Sequence, residues 1–130
     1  MALLIDTSVL IDTERRNRSL SRELGEDDRA ISVITASELL HGVHRTDSAT
    51  ARRRRAAFVE QLFTAVEALP ITMVVARIHA EIWTDLKNRG DLIGSHDLWI
   101  AATALSQDMA VATAKMRDFE RVPGLTVVPV

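Results

Sequence analysis

The chain opens Met1-Ala2-Leu3-Leu4-Ile5-Asp6-Thr7-Ser8-Val9-Leu10-Ile11-Asp12. An apolar run drives straight into a carboxylate, and two hydroxyl residues follow. Residues 2–5 predict a short strand buried on both faces, which favours a parallel sheet covered by helices. Thr7 or Ser8 would cap the next helix, whose apolar residues are Val9, Leu10 and Ile11. Asp6 then stands at the carboxyl end of the first strand, where open α/β sheets bind ligands. Taken alone, Asp6 is about as well explained as a helix N-cap.

The alternation repeats outward from this stretch. Residues 14–29 are polar and predict a short surface helix and loop, with Gly25 as a stop. Residues 30–34 are rich in β-branched side chains and predict a second strand. A helix then starts at Thr35 or Ser37 and runs to about His44, with Ala36, Leu39, Leu40 and Val43 as its core-facing stripe. A long helix over 49–68 carries Phe58, Leu62, Phe63, Val66 and Leu69 toward its end. Pro70-Ile71-Thr72 reads as a short strand or an extended connection. The helix over 73–89 stops at Gly90, with Val75, Ile78, Ile82, Trp83 and Leu86 as its stripe. Gly94-Ser95-His96 opens a further helix bearing Leu98, Ile100, Ala101, Ala104 and Leu105, and strands follow over 110–113 and 125–129. Short apolar strands alternating with helices give βαβ units. Right-handed crossovers make these a three-layer α/β/α sandwich with a central parallel β-sheet. The expected organisation is one domain over 1–130.

Composition narrows the function classes. The formal net charge is −2, so any polyanion site must be local rather than a global basic field. The absence of cysteine excludes disulfides and thiolate metal sites and is compatible with a reducing cytoplasm. No apolar run approaches the roughly 20 residues that span a bilayer, and Asp6 interrupts the first one too early for a signal peptide. A soluble, cytoplasmic protein is expected.

Three further carboxylates fall in places comparable to Asp6. Glu38 lies near the first turn of the helix after the second strand, and Asp97 in the first turn of the helix opened by Gly94. Asp118 follows the strand that ends at Thr113. Each has an ordinary explanation. First-turn acids suit any helix dipole, and Asp118 beside Arg117 suits a solvated loop. Their convergence on one sheet rim changes the balance, because clustered carboxylates raise each other's pKa and persist comfortably only with a cation. All-oxygen ligands suit Mg²⁺ or Mn²⁺. A metal-activated water held by such a cluster points to phosphodiester hydrolysis.

Other motifs are missing or weak. The sequence has no P-loop, GxGxxG, GxSxG or HExxH pattern. His41 and His44 share one helix but lack a partner elsewhere, and His96 reads equally as a substrate contact or a packing residue. The run Arg52-Arg53-Arg54-Arg55 spans a full helical turn. A solvated or partner-facing helix and RNA backbone contact explain it equally well.

The residues just described resemble a PIN-domain ribonuclease, specifically the VapC-type toxins of type II toxin–antitoxin pairs. The resemblance rests on four blocks: Leu4 through Asp12, Ser32 through Val43, Ile93 through Ala102, and Asp118 through Leu125. It implies Mg²⁺-dependent endonucleolytic cleavage of RNA, with Mn²⁺ able to substitute. It implies a homodimer and a hetero-oligomer with a cognate antitoxin protein. Asp6, Glu38 and Asp97 match the family's metal-binding carboxylates, and Thr113 matches a hydroxyl residue near the site. Ser8 would hydrogen-bond a carboxylate or phosphate alongside Thr113. The departure is Lys115, which stands where the family has Asn or Asp. An ammonium cannot ligate a metal. It is therefore expected to occupy part of a second-metal site, contact the scissile phosphate, or turn outward, with Asp118 as the replacement carboxylate. The rival expectation is a PIN-fold module that binds RNA or antitoxin with weak or no catalysis because of Lys115. A PIN nuclease of RNA processing is a third.

Overall fold

The computed structural model describes residues 1–19, 22, 25 and 27–130. Five strands form the sheet: β1 (Leu3–Ile5), β2 (Arg29–Ser32), β3 (Glu67–Leu69), β4 (Ala110–Thr113) and β5 (Val127–Pro129). Their spatial order is β3-β2-β1-β4-β5, and every pairing is parallel. Among the described residues the helices are α1 (Thr7–Arg15), α2 (Val33–His44), α3 (Ala49–Ala65), α4 (Met73–Asn88), α5 (Ser95–Ser106) and α6 (Met116–Phe119).

Side-chain alternation along the strands divides the core. Leu3 and Ile5 of β1 join Val9, Leu10, Ile31, Leu39, Val59 and Leu62 on one face. Leu4 joins Val75, Leu86, Leu98, Ile100, Val111 and Phe119 on the other. Helices α1 to α3 therefore cover one face and α4 and α5 the other, as the α/β/α expectation required. Each fully buried Leu or Ile contributes about 1.5–3 kcal/mol, so a three-residue strand is enough at the centre of the sheet.

Several boundaries differ from the sequence reading. The second helix starts at Val33, because Ser32 caps it by accepting from the Ile34 amide at 3.0 Å. Glu38 consequently lies in its second turn. Thr7 and Ser8 are the first residues of α1 rather than its caps; Asp6 holds the cap position but makes no capping hydrogen bond. The long helix ends at Ala65, and β3 begins at Glu67, inside the 49–68 span expected to be helical. Pro70 to Thr72 is an extended connection, and Thr72 caps α4. Trp83 is half exposed while His79 takes an inward position on the same helix. The surface helix expected within 14–29 lies partly outside the described residues. Helix α4 does stop at Gly90, as read. With Gly90 at φ +68°, the Asp91 amide bonds back to Leu86 O and the Gly90 amide to Lys87 O.

Candidate active site

The chain leaves β1 toward β2 and β3 on one side and later fills β4 and β5 on the other. The switch in direction therefore falls between β1 and β4, and their carboxyl ends form a crevice. Asp6 leaves β1 there in extended conformation, tied to the neighbouring strand by its amide, which donates to Ala112 O at 2.9 Å. Its side chain is fully buried. Oδ2 accepts from Ser8 Oγ at 2.6 Å and from Thr113 Oγ1 at 2.8 Å. Oδ1 is buried and has no hydrogen-bond partner.

The hydroxyls also fix the next segment of chain. The Ala114 amide donates to Ser8 Oγ at 3.2 Å and the Lys115 amide to Thr113 Oγ1 at 2.8 Å. Lys115 turns inward: its Nζ stands 3.2 Å from both carboxylate oxygens of Asp97, in the first turn of α5. Glu38 reaches in from α2, held by Thr7 Oγ1 at 2.7 Å, and Thr7 is itself hydrogen-bonded to Thr35 Oγ1 at 3.1 Å. His96 Nδ1 lies 3.4 Å from the other Glu38 oxygen.

The charges interact. Burial pushes the Asp97 carboxyl above its usual pKa; the Lys115 ammonium opposes this, and Asp6 and Glu38 add to it. Burial alone would lower the Lys115 pKa. The carboxylates of Asp6, Asp97 and Glu38 outweigh it and hold the group above the ordinary lysine value.

The structure thus brings Asp6, Ser8, Glu38, Asp97, Thr113 and Lys115 together. Asp118 is half-buried on α6, and its side chain makes no hydrogen bond or ion pair with the other described residues. Thr7 and Thr35 join the site without having been assigned there, and His96, open between a substrate contact and a packing residue, lies beside Glu38. A hydroxyl beside an aspartate reads as a helix cap, and nothing local in the sequence announces that Thr7 faces another helix.

The donor set fits a hard divalent cation. It is all oxygen, and a buried carboxylate oxygen of Asp6 has no partner in the protein. Among the described residues, no three or more His, Asp or Glu side chains already stand at ligating spacing, and Lys115 sits against Asp97.

Helices α1 and α3 line a cleft of about 550 Å³ that includes Arg15, Arg18, Arg54 and Arg55. A smaller cavity of about 90 Å³ shares Arg15 and Arg55 with it and reaches Glu38. The arginine run is therefore divided. Arg55 pairs with Glu14 at 3.3 Å, and Arg52 donates to Thr46 O at 2.7 Å.

Residues 3–125 match the family model of the PIN domain. The chain is 35% identical over 130 residues to "Ribonuclease VapC1" of Rickettsia felis, covering 100% of this chain and 97% of that one. It is 30% identical to the "tRNA(fMet)-specific endonuclease VapC" of Salmonella typhimurium, covering 98% and 96%. The solved DNA-bound VapBC of Salmonella typhimurium superposes with a TM-score of 0.89 at 30% identity, covering 99% and 98% of the two chains.

Proposed function

The chain belongs to the PIN-domain family and to its VapC ribonuclease toxins, and from that premise we propose that it is a Mg²⁺-dependent endoribonuclease, with Mn²⁺ able to substitute. The observation that carries this reading is Asp6. A buried carboxylate with one unpartnered oxygen lies at the switch point of the sheet, within electrostatic reach of Asp97.

Asp6, Glu38 and Asp97 would hold the metal. A divalent ion there supplies Lewis acidity and charge for phosphodiester hydrolysis. The chain's own residues supply the rest. Ser8 and Thr113 hold Oδ2 of the Asp6 carboxylate and leave Oδ1 without a partner, and Thr7 holds one oxygen of Glu38. Glu38, held on one oxygen by Thr7 and near His96 on the other, would bind the metal or orient the attacking water. Asp118, on α6, makes no hydrogen bond or ion pair with these residues. The arginine-lined cleft, joined through Arg15 and Arg55 to the smaller cavity that reaches Glu38, suits an RNA backbone.

The VapBC complexes among the solved relatives support an antitoxin partner. We read the toxin as a homodimer that joins its antitoxin in a hetero-oligomer in the cytoplasm, with residues 1–130 as one domain. Among the described residues no helix is long and apolar enough to cross a membrane. A non-cleaving module that binds RNA or antitoxin is the second reading, and the Lys115–Asp97 ion pair is what favours it.

The deciding experiment is cleavage of total bacterial RNA with Mg²⁺ or Mn²⁺ against EDTA, comparing wild type with Asp6→Asn. Discrete cuts that need metal and vanish in the variant are expected. A folded wild type that makes no cuts under either metal would leave the non-cleaving module.

A further inference from the structure

Three carboxylates converge on the crevice between β1 and β4, and the segment leaving β4 answers them with an ammonium. Lys115 is not a loose surface side chain that happens to reach the site. Its amide is bonded to Thr113 Oγ1, which is bonded to Asp6, so the backbone that carries it is registered to the buried carboxylate. Its Nζ is equidistant from the two Asp97 oxygens, which places it astride the carboxylate. The Lys115 side chain is 44% exposed and that of Asp97 11%, so this pair contributes little to stability. Its consequence lies in the charge and ligand count of the site.

Resting on the reading of this crevice as a metal site, we propose that Lys115 is a resident cation of that site: its ammonium fills the place on Asp97 that a second divalent ion would take, so the site binds one divalent ion and Lys115 itself meets the scissile phosphate.

The charges support this. Asp6, Glu38 and Asp97 together carry three negative charges, and the ammonium leaves two, which one divalent ion neutralises. Without Lys115 the same carboxylates would carry a full excess charge with one ion bound, which favours a second. Ligand geometry gives the same result. An ammonium has no lone pair to offer a metal, and while it faces both Asp97 oxygens they are not both free to bridge two ions. An ammonium has three N–H donors, Asp97 takes two, and the exposed side of the group faces solvent where a phosphodiester would arrive. A lysine here supplies positive charge to the substrate as a fixed part of the chain, where a second ion would supply it at a concentration set by the cell.

The test counts Mn²⁺ ions bound to the full chain, by calorimetry and by the electron paramagnetic resonance of the free ion. The proteins are wild type, Lys115→Asn, Lys115→Met and Lys115→Arg, with Asp6→Asn as the control for the carboxylate cluster. Wild type and Lys115→Arg are expected to bind one ion each. Lys115→Asn and Lys115→Met are expected to bind a second ion. Two ions on wild type would overturn the proposal. So would an unchanged count in Lys115→Asn and Lys115→Met. If neither wild type nor any Lys115 variant binds Mn²⁺, the metal-site reading itself falls, a result distinct from equal binding by all of them. Circular dichroism of each variant confirms that the counts refer to folded protein.

Discussion

Thr113 Oγ1 donates to Asp6 Oδ2 at 2.8 Å, joining the ends of two adjacent strands across 107 positions of the chain. Both residues are fully buried, so this bond is made away from competing water. The same hydroxyl accepts from the Lys115 amide. One side chain therefore positions a carboxylate in β1's exit and the backbone of the segment after β4.

Removing that hydroxyl should cost stability and activity together. Thr113→Val keeps the shape but withdraws a charge-assisted donor from Asp6 and an acceptor from Lys115, a loss of about 1–3 kcal/mol. Urea unfolding should show a lower midpoint with an unchanged slope, and RNA cleavage should fall. Thr113→Ser should recover most of both. A valine variant as stable as wild type would mean that Ser8 alone positions Asp6.

Asp6→Asn should separate function from stability. The amide oxygen can still accept from Ser8 and Thr113, while the buried negative charge and its unpartnered oxygen are gone. Cleavage should drop to background, and the thermal midpoint should equal or exceed that of wild type, as is common where a site holds strained charge. A variant that unfolds would instead make Asp6 a structural residue.

The architecture was legible in the sequence because it depends on short apolar runs. Residues 2–5 are wholly apolar and residues 110–113 are apolar up to Thr113, so both read as buried central strands. Asp6 was legible because it directly follows such a strand, and Asp97 because it stands in the first turn of the helix opened by Gly94. Glu38 was found but placed a turn early, because Ser32 rather than Thr35 or Ser37 caps its helix. Other features lay beyond local reading. β3 has exposed Glu67 and Ala68 and pairs only at the sheet edge, so its pattern looks like the end of a helix. The partners of Thr7 lie on another helix, and the inward turn of Lys115 is set by hydroxyls on two separate elements.

Phe119 should prove to be the anchor of the segment that carries Lys115. It is fully buried against the α4–α5 side of the core, on a helix of only four residues that has little stability of its own. Phe119→Ala should cost about 3–5 kcal/mol and Phe119→Leu much less. Hydrogen exchange should rise first at residues 114–121 in the leucine variant. Uniform loss of protection across β1 and β4 would show that the segment unfolds only with the whole domain.

His79 should make the fold sensitive to mild acid. Its ring is stacked on Trp99 with centroids 3.5 Å apart and lies 5.7 Å from Trp83. Burial pushes its pKa below the ordinary value of 6.5. The folded state therefore prefers the neutral ring. The stability that depends on it is complete above 6.5 and is lost as pH falls through the lower folded-state value. Asp97 acts in the opposite sense: its carboxyl is raised from 3.8, so protonating it as pH falls relieves the folded state. The two effects separate by substitution, because His79→Gln keeps Asp97 and removes only the imidazole. Between about pH 7 and pH 5 the unfolding midpoint of wild type should fall more steeply than that of His79→Gln. Tryptophan fluorescence should report protonation of the stacked ring over the same range. Parallel curves for the two proteins would mean that the ring is protonated against Trp99 without cost, by cation–π contact.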